Sequence, residues 1–243
     1  MRRGSFVENF PVTSVILLLC VALALIAGSE TQRRSDGEKN LIQGFLDPSG
    51  MVLIDLGATG PLLLRQGEWW RLLSYAFLHG GPIHLLMNMA SLWSLGIALE
   101  PLLGKYRFTI VYLGTAAVAA LASLLYNQTL GSQFATAVGA SGAICGLLGH
   151  AFGFSIRHKD RELRMQVLNS IVFLIAMVFL TDRIDHAAHA GGLLAGAVFG
   201  YFTPRYVTSR AHARWKIPFW VAVALAAAAL GVPITKLFLA RFG

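Results

Sequence analysis

Three stretches of the chain carry residue types that can do chemistry together. The segment VGASGAICGLLG, Val138 to Gly149, sets Ser141 among small residues, with Gly139 two places before it and Gly142 directly after. His84 and Asn88 stand four residues apart, so on a helix they share one face. His186 and His189 precede the glycine-spaced run GGLLAG. A serine beside a histidine in a partly dry cavity is activated as a nucleophile when the imidazole takes its proton. Acyl transfer also needs donors aimed at the developing oxyanion. The candidates are the Ser141 backbone N–H at a helix N-terminus, the Asn88 amide and His84. Glycine at 139 lets the backbone approach tightly before the serine, and Gly142 leaves room beside it.

Positioning these groups falls to apolar helices. Hydrophobic residues make up 56% of the 243 residues and charged residues only 13%, against about a quarter charged in soluble domains. Long uncharged runs approach the thickness of a bilayer, and lipid forces backbone groups to pair within each span. The fold class is an all-α polytopic membrane protein. The net charge of +8 does not point to nucleic acid, because the Lys and Arg residues cluster in short loops between apolar runs, as the positive-inside rule expects. Cys20 and Cys145 lie inside apolar runs and read as packing residues, not a disulfide framework or metal site. The N-terminal run resembles a signal peptide, but the many later spans favour an uncleaved first helix.

The expected spans are Pro11–Gly28, Pro82–Leu103, Phe108–Tyr126, Val138–Phe154, Val167–Leu180, Ala187–Tyr201 and Ile217–Phe238. Residues 29–73 form a long loop lying in the interface, with Trp69 and Trp70 as anchors. The fourth to sixth spans are short, but charge sets the parity. MRR, GKYR (Gly104–Arg107), RHKDRELR (Arg157–Arg164) and PRYVTSRAHARWK (Pro204–Lys216) are all basic and expected in the cytoplasm. The division is then a cytoplasmic N-terminus (1–10), a six-helix core (11–203), a basic cytoplasmic loop (204–216) and an additional C-terminal helix (217–243). This topology brings Ser141, His84, Asn88, His186 and His189 to one depth, below the outer surface of a plasma membrane, expected to be bacterial from the compact ends and the absence of a transit peptide.

Other readings compete. Ser and Gly in apolar helices usually serve close helix packing, and Gly142, Gly146, Gly149 and Gly153 fit that, as do Gly192, Gly196 and Gly200. His84, His186 and His189 gathering zinc is disfavoured, since no H-E-x-x-H occurs and only the loop residue Asp185 supplies a nearby carboxylate. An aspartyl mechanism lacks its two intramembrane carboxylates. A transporter would carry polar groups to the midplane and beyond. No metal, cofactor or nucleic-acid partner is expected; the lipid bilayer and transmembrane protein substrates are.

Taken together, GEWWRLLSYAFLHGGPIHLLMNM, GASGA and AHAGGLLAG, in that order, resemble the rhomboid intramembrane serine proteases from about Gly67 to Gly200. The resemblance implies a six-helix rhomboid-like core and a catalytic dyad of Ser141 and His189. It also implies oxyanion and substrate contacts from His84, Asn88 and Gly139. His189 is preferred over His186 because Gly192 and Gly196 follow at the family's spacing. Trp70 and Arg71 match a W-R pair that holds the first loop, and His79 a structural histidine. Glu100 is expected to pair with loop or basic residues on the inner side. The seventh span resembles the extra C-terminal helix of some rhomboids. Cys145 departs from the family, where many members carry an aromatic that stacks on the catalytic histidine. The implied activity is endopeptidase cleavage of membrane-spanning segments. The rival is an inactive relative that binds transmembrane helices, a class that typically lacks the serine or the histidine.

Overall fold

The computed structural model describes residues 5–178, 185–205 and 213–242. Parts of the N-terminal segment, the fifth span and the basic 204–216 loop therefore lie outside the described residues. Among those described, the regular elements are helical: α1 (Phe6–Asn9), α2 (Pro11–Arg34), α3 (Leu41–Leu46), α4 (Gly50–Leu56), α5 (Pro61–Arg65), α6 (Arg71–Ser74), α7 (Pro82–Thr129), α8 (Ser141–Arg157), α9 (Arg161–Val178), α10 (His186–Phe202) and α11 (Lys216–Phe242). Three of them, α2, α7 and α11, are long and apolar enough to cross a membrane on length and composition.

α7 is two helices in one. Gly104 leaves the helical region at φ 70° and ψ 157°, a backbone state that glycine adopts without a Cβ clash. The chain reverses there, so that Asn88 in the first arm and Ser123 in the second both lie at the Ser141 end of the molecule. α2 starts at the opposite, Gly104 end. Its first N–H groups, on Val12 and Thr13, donate to the Glu100 carboxylate at 2.9 Å each, and the Thr13 hydroxyl donates at 2.6 Å. Glu100 thus caps a helix start rather than pairing with a loop or a basic residue. The macrodipole of α2 and the otherwise unsatisfied N–H groups of its first turn favour a carboxylate there.

α2 runs on past Gly28 to Arg34 because SETQRR contains no breaker, and Glu30 pairs with Arg33 at 2.7 Å. The long loop is not irregular: glycines and prolines cut its apolar patches into the short helices α3 to α6. α9 likewise begins earlier than hydropathy suggests, because the Asp160 carboxylate accepts the Leu163 N–H at 3.1 Å and caps the polar turn that precedes the apolar run.

α8 lies at the centre, buried along most of its length, and packs against α10 and the second arm of α7. The contact with α10 is a glycine seam. A methyl placed on Gly196 would stand 1.9 Å from the Gly146 carbonyl oxygen, and one on Gly200 1.9 Å from that of His150. From the other side, a methyl on Gly149 would stand 2.0 Å from the Leu193 oxygen. Backbones this close leave no space for any side chain at these positions.

Candidate active site

Ser141 opens α8, and the residue before it, Ala140, is already near-helical at φ −71° and ψ −9°. Its N–H is one of the groups at a helix start with no carbonyl four residues back, and so is free to meet an anion. Gly139, at φ 130°, makes the sharp entry into this turn. Two tethers hold the entry to the first loop. Thr59 and Ala137 exchange backbone hydrogen bonds at 3.0 and 2.8 Å, and the Gly139 N–H donates to the Tyr75 carbonyl at 3.0 Å. Tyr75 is itself fixed by its hydroxyl, which donates to the Ala116 carbonyl at 2.8 Å.

The structure brings Ser141 and His189 together. Ser141 Oγ lies 2.7 Å from His189 Nε2 across the α8–α10 seam. His186, one turn earlier on α10, is exposed, and it is His189 that bonds the serine. His84 flanks the serine turn: a methyl built on Gly139 would sit 2.8 Å from both Cε1 and Nε2 of His84. The Gly80 N–H donates to His84 Nδ1 at 3.4 Å, which leaves Nε2 as the protonated, donating nitrogen. Asn88 is buried, and its Nδ2 donates to the His84 carbonyl at 2.8 Å; in this resting arrangement one amide N–H is spent on its own helix and the other is available. Cys145 is buried one turn along α8 from Ser141.

The first loop is held by Arg71. Arg71 is 4% exposed, and its guanidinium stacks 4.4 Å from the Trp70 ring, donates to Glu68 at 2.6 Å and donates to the carbonyls of Ile54 and Ala58. A buried charge is tolerated only with this degree of pairing. His79, in the loop ahead of α7, is 2% exposed and meets the His84 ring edge-on at 5.2 Å. Burial, and then the neighbouring His84, push its pKa down to about 3, so His79 stays neutral.

A family model for the rhomboid domain matches residues 66–206. This chain belongs to the rhomboid family. It is similar to the putative rhomboid protease YdcA of Bacillus subtilis, with 35% identity over 201 residues, 81% of this chain and 90% of that protein. It is similar to the rhomboid protease GluP of the same organism, with 38% identity over 148 residues, 60% of this chain and 28% of that protein. RHOMBOID-like protein 5 of Arabidopsis thaliana is 35% identical over 177 residues, 67% of this chain and 56% of that protein. The chain therefore spans less than two thirds of the length of the last two. As a rhomboid it is an integral, multi-pass, all-α membrane protein of a family that includes named proteases.

Two features of this rhomboid's site were not singled out in the sequence. The Thr59–Ala137 bridge leaves no local signal, since a single isolated pairing between distant loops has no periodicity. Asp185 does have one: an aspartate directly before a helical run is an N-cap signal, and it lies one turn before His189.

Proposed function

We propose that this rhomboid is an intramembrane serine endopeptidase that cuts membrane-spanning segments of other proteins with a Ser141–His189 dyad. The observation that carries the proposal is the 2.7 Å approach of Ser141 Oγ to His189 Nε2 from separate helices. The inactive, helix-binding alternative has no corresponding reason to keep that pair.

Ser141 Oγ attacks the scissile carbonyl carbon while His189 Nε2 accepts its proton. The carbonyl oxygen becomes an oxyanion, and the donors assigned to it are the Ser141 N–H, the Nε2–H of His84 and the second amide hydrogen of Asn88. The imidazolium of His189 then gives its proton to the departing amine as the C–N bond breaks. Water, deprotonated by the same imidazole, releases the acyl product and restores Ser141. A substrate helix must unwind before its carbonyls reach the serine, so small or helix-breaking residues near the cut lower the cost of entry. The site opens toward the side of the membrane away from the basic loops, and residues 1–10 and 204–216 face the cytoplasm. The six-helix core spans 11–203, and residues 217–243 form an accessory helix.

The test is labelling with a fluorophosphonate, which reacts only with an activated serine. Reconstituted wild type should label at Ser141, located by peptide mass, and His189→Ala should label at least tenfold more slowly. Absence of labelling in wild type would refute the proposal.

A further inference from the structure

His189 Nε2 faces Ser141, and in a two-residue catalytic pair something must fix the imidazole from behind. Asp185 immediately precedes the helix that carries His189. Its Oδ1 accepts the Ala188 N–H at 2.9 Å, and its backbone carbonyl accepts the His189 N–H at 3.1 Å. Its Oδ2 accepts a short hydrogen bond from the Ser123 hydroxyl on the second arm of α7. Ser123 is buried. It is held in turn by Asn127, whose Nδ2 donates to the Ser123 carbonyl at 2.9 Å and lies 3.4 Å from its Oγ. Both carboxylate oxygens are therefore engaged, one on each of two helices. The first turn of α10 cannot rotate without breaking one bond or the other.

We propose that Asp185, clamped by Ser123, is the positioning residue of the dyad: it fixes the first turn of α10 so that His189 meets Ser141, and keeps a negative charge one turn from the imidazolium formed during attack. This rests on the Ser141–His189 reading of the site. Among the described residues the Asp185 carboxylate bonds to Ala188 and Ser123 and not to the imidazole, in contrast to a third residue bonded to the far ring nitrogen. It acts through the helix backbone and through charge. Such a charge is complementary to the imidazolium that forms as Ser141 Oγ gives up its proton, and so acts on the transition state more than on the resting enzyme.

Three variants separate the two contributions. Asp185→Asn keeps a side-chain oxygen to cap α10, because asparagine is as good an N-cap as aspartate, but removes the charge. Ser123→Ala removes the clamp and leaves the charge. Asp185→Ala removes both. In reconstituted full-length protein, with a single-span reporter substrate, Asp185→Asn should keep the wild-type melting temperature and KM while kcat falls at least tenfold. Ser123→Ala should lower kcat and the fluorophosphonate labelling rate in parallel, and Asp185→Ala should lower both furthest, by about 10²-fold, the scale of a displaced catalytic group. Asp185→Asn and Ser123→Ala both turning over at wild-type kcat, with Asp185→Ala losing only melting temperature, would reduce Asp185 to a helix cap and overturn the proposal. A wild type that neither labels nor cleaves would instead overturn the dyad itself.

Discussion

Gly139 and His84 are in mutual contact at a distance that admits no side chain: a methyl on Gly139 would stand 2.8 Å from Cε1 and Nε2 of His84, and the backbone at 139 has φ 130°. Gly139→Ala therefore costs conformational strain of about 1–3 kcal/mol and also drives His84 from the serine turn. Cleavage of a single-span reporter should fall about 10²-fold. Unchanged turnover would show that His84 takes no part in the reaction.

The proposed mechanism gives Asn88 and His84 a share of the oxyanion role with the Ser141 N–H. Asn88→Ala should lower kcat by about 10²–10³, the usual loss for one oxyanion donor, with KM nearly constant. Steady-state kinetics on the reconstituted protein decide this. A lower melting temperature with normal kcat would mean that the Asn88 amide merely secures the start of α7 through the His84 carbonyl.

The α8–α10 seam gives a contrast within one residue type. Gly196→Ala forces a methyl against the Gly146 carbonyl oxygen. The two helices must part, at a cost of about 1–3 kcal/mol typical of overpacking, and Ser141 parts from His189 with them. Gly231 in α11 has nothing within 4 Å of a built methyl, so Gly231→Ala should leave stability unchanged or raise it by up to about 1 kcal/mol through helix propensity. Thermal unfolding in detergent, read beside fluorophosphonate labelling, compares the two.

Glu100 is 3% exposed and accepts from three donors at the start of α2. Glu100→Ala leaves those donors buried without a partner, at about 1–3 kcal/mol for each that finds no water. The melting temperature should drop although the change lies at the end of the molecule remote from Ser141. Labelling of the protein that remains folded should keep its wild-type rate.

Glu68 ties α11 to the first loop, accepting from Arg71 at 2.6 Å and from Lys236 at 2.7 Å. Burial raises its pKa, but hydrogen bonds and charge from Lys236 and Arg71 outweigh that and hold it below the ordinary 4.5. A carboxyl whose folded-state pKa is depressed contributes stability that is complete above the unfolded value and is lost as pH falls through the folded one. The melting temperature should hold from pH 7 to about pH 5 and decline below 4.5. Glu68→Gln should flatten that decline. Lys236 is 60% exposed, so Lys236→Met should cost only about 0–1 kcal/mol near neutral pH.

The residues that meet at the site were marked in the sequence by their expected common depth on three helices and by the four-residue spacing of His84 and Asn88, whereas the choice of His189 over His186 came from the family resemblance; the structure sets Ser141 beside His189 and His84 beside Gly139. The all-α membrane class was legible from composition, since long uncharged runs bounded by basic segments such as GKYR and RHKDRELR admit few arrangements. Helix ends were less so. α2 and α9 extend through polar turns, to Arg34 and from Arg161, where hydropathy falls but capping and ion pairs continue the helix. The long-range partners of Glu100 and Asp185 were not legible, although the N-cap role of Asp185 was. Glu100 meets Val12 and Thr13 across 88 and 87 residues, and Asp185 meets Ser123 across 62; only the packed helices bring them together, and neither pair leaves a local pattern. Arg71 lay between the two: its place beside Trp70 was visible, whereas its bonds to the Ile54 and Ala58 carbonyls depend on how the loop folds.

In the proposed mechanism Ser141 attacks and His189 takes its proton. The most direct measurement is cleavage of a single-span substrate by purified, lipid-reconstituted wild type, Ser141→Ala and His189→Ala, with products mapped by mass. Wild type should cut within or beside the spanning segment, and neither variant should cut above background. Cleavage that survives Ser141→Ala, at the same bond and rate, would contradict that mechanism.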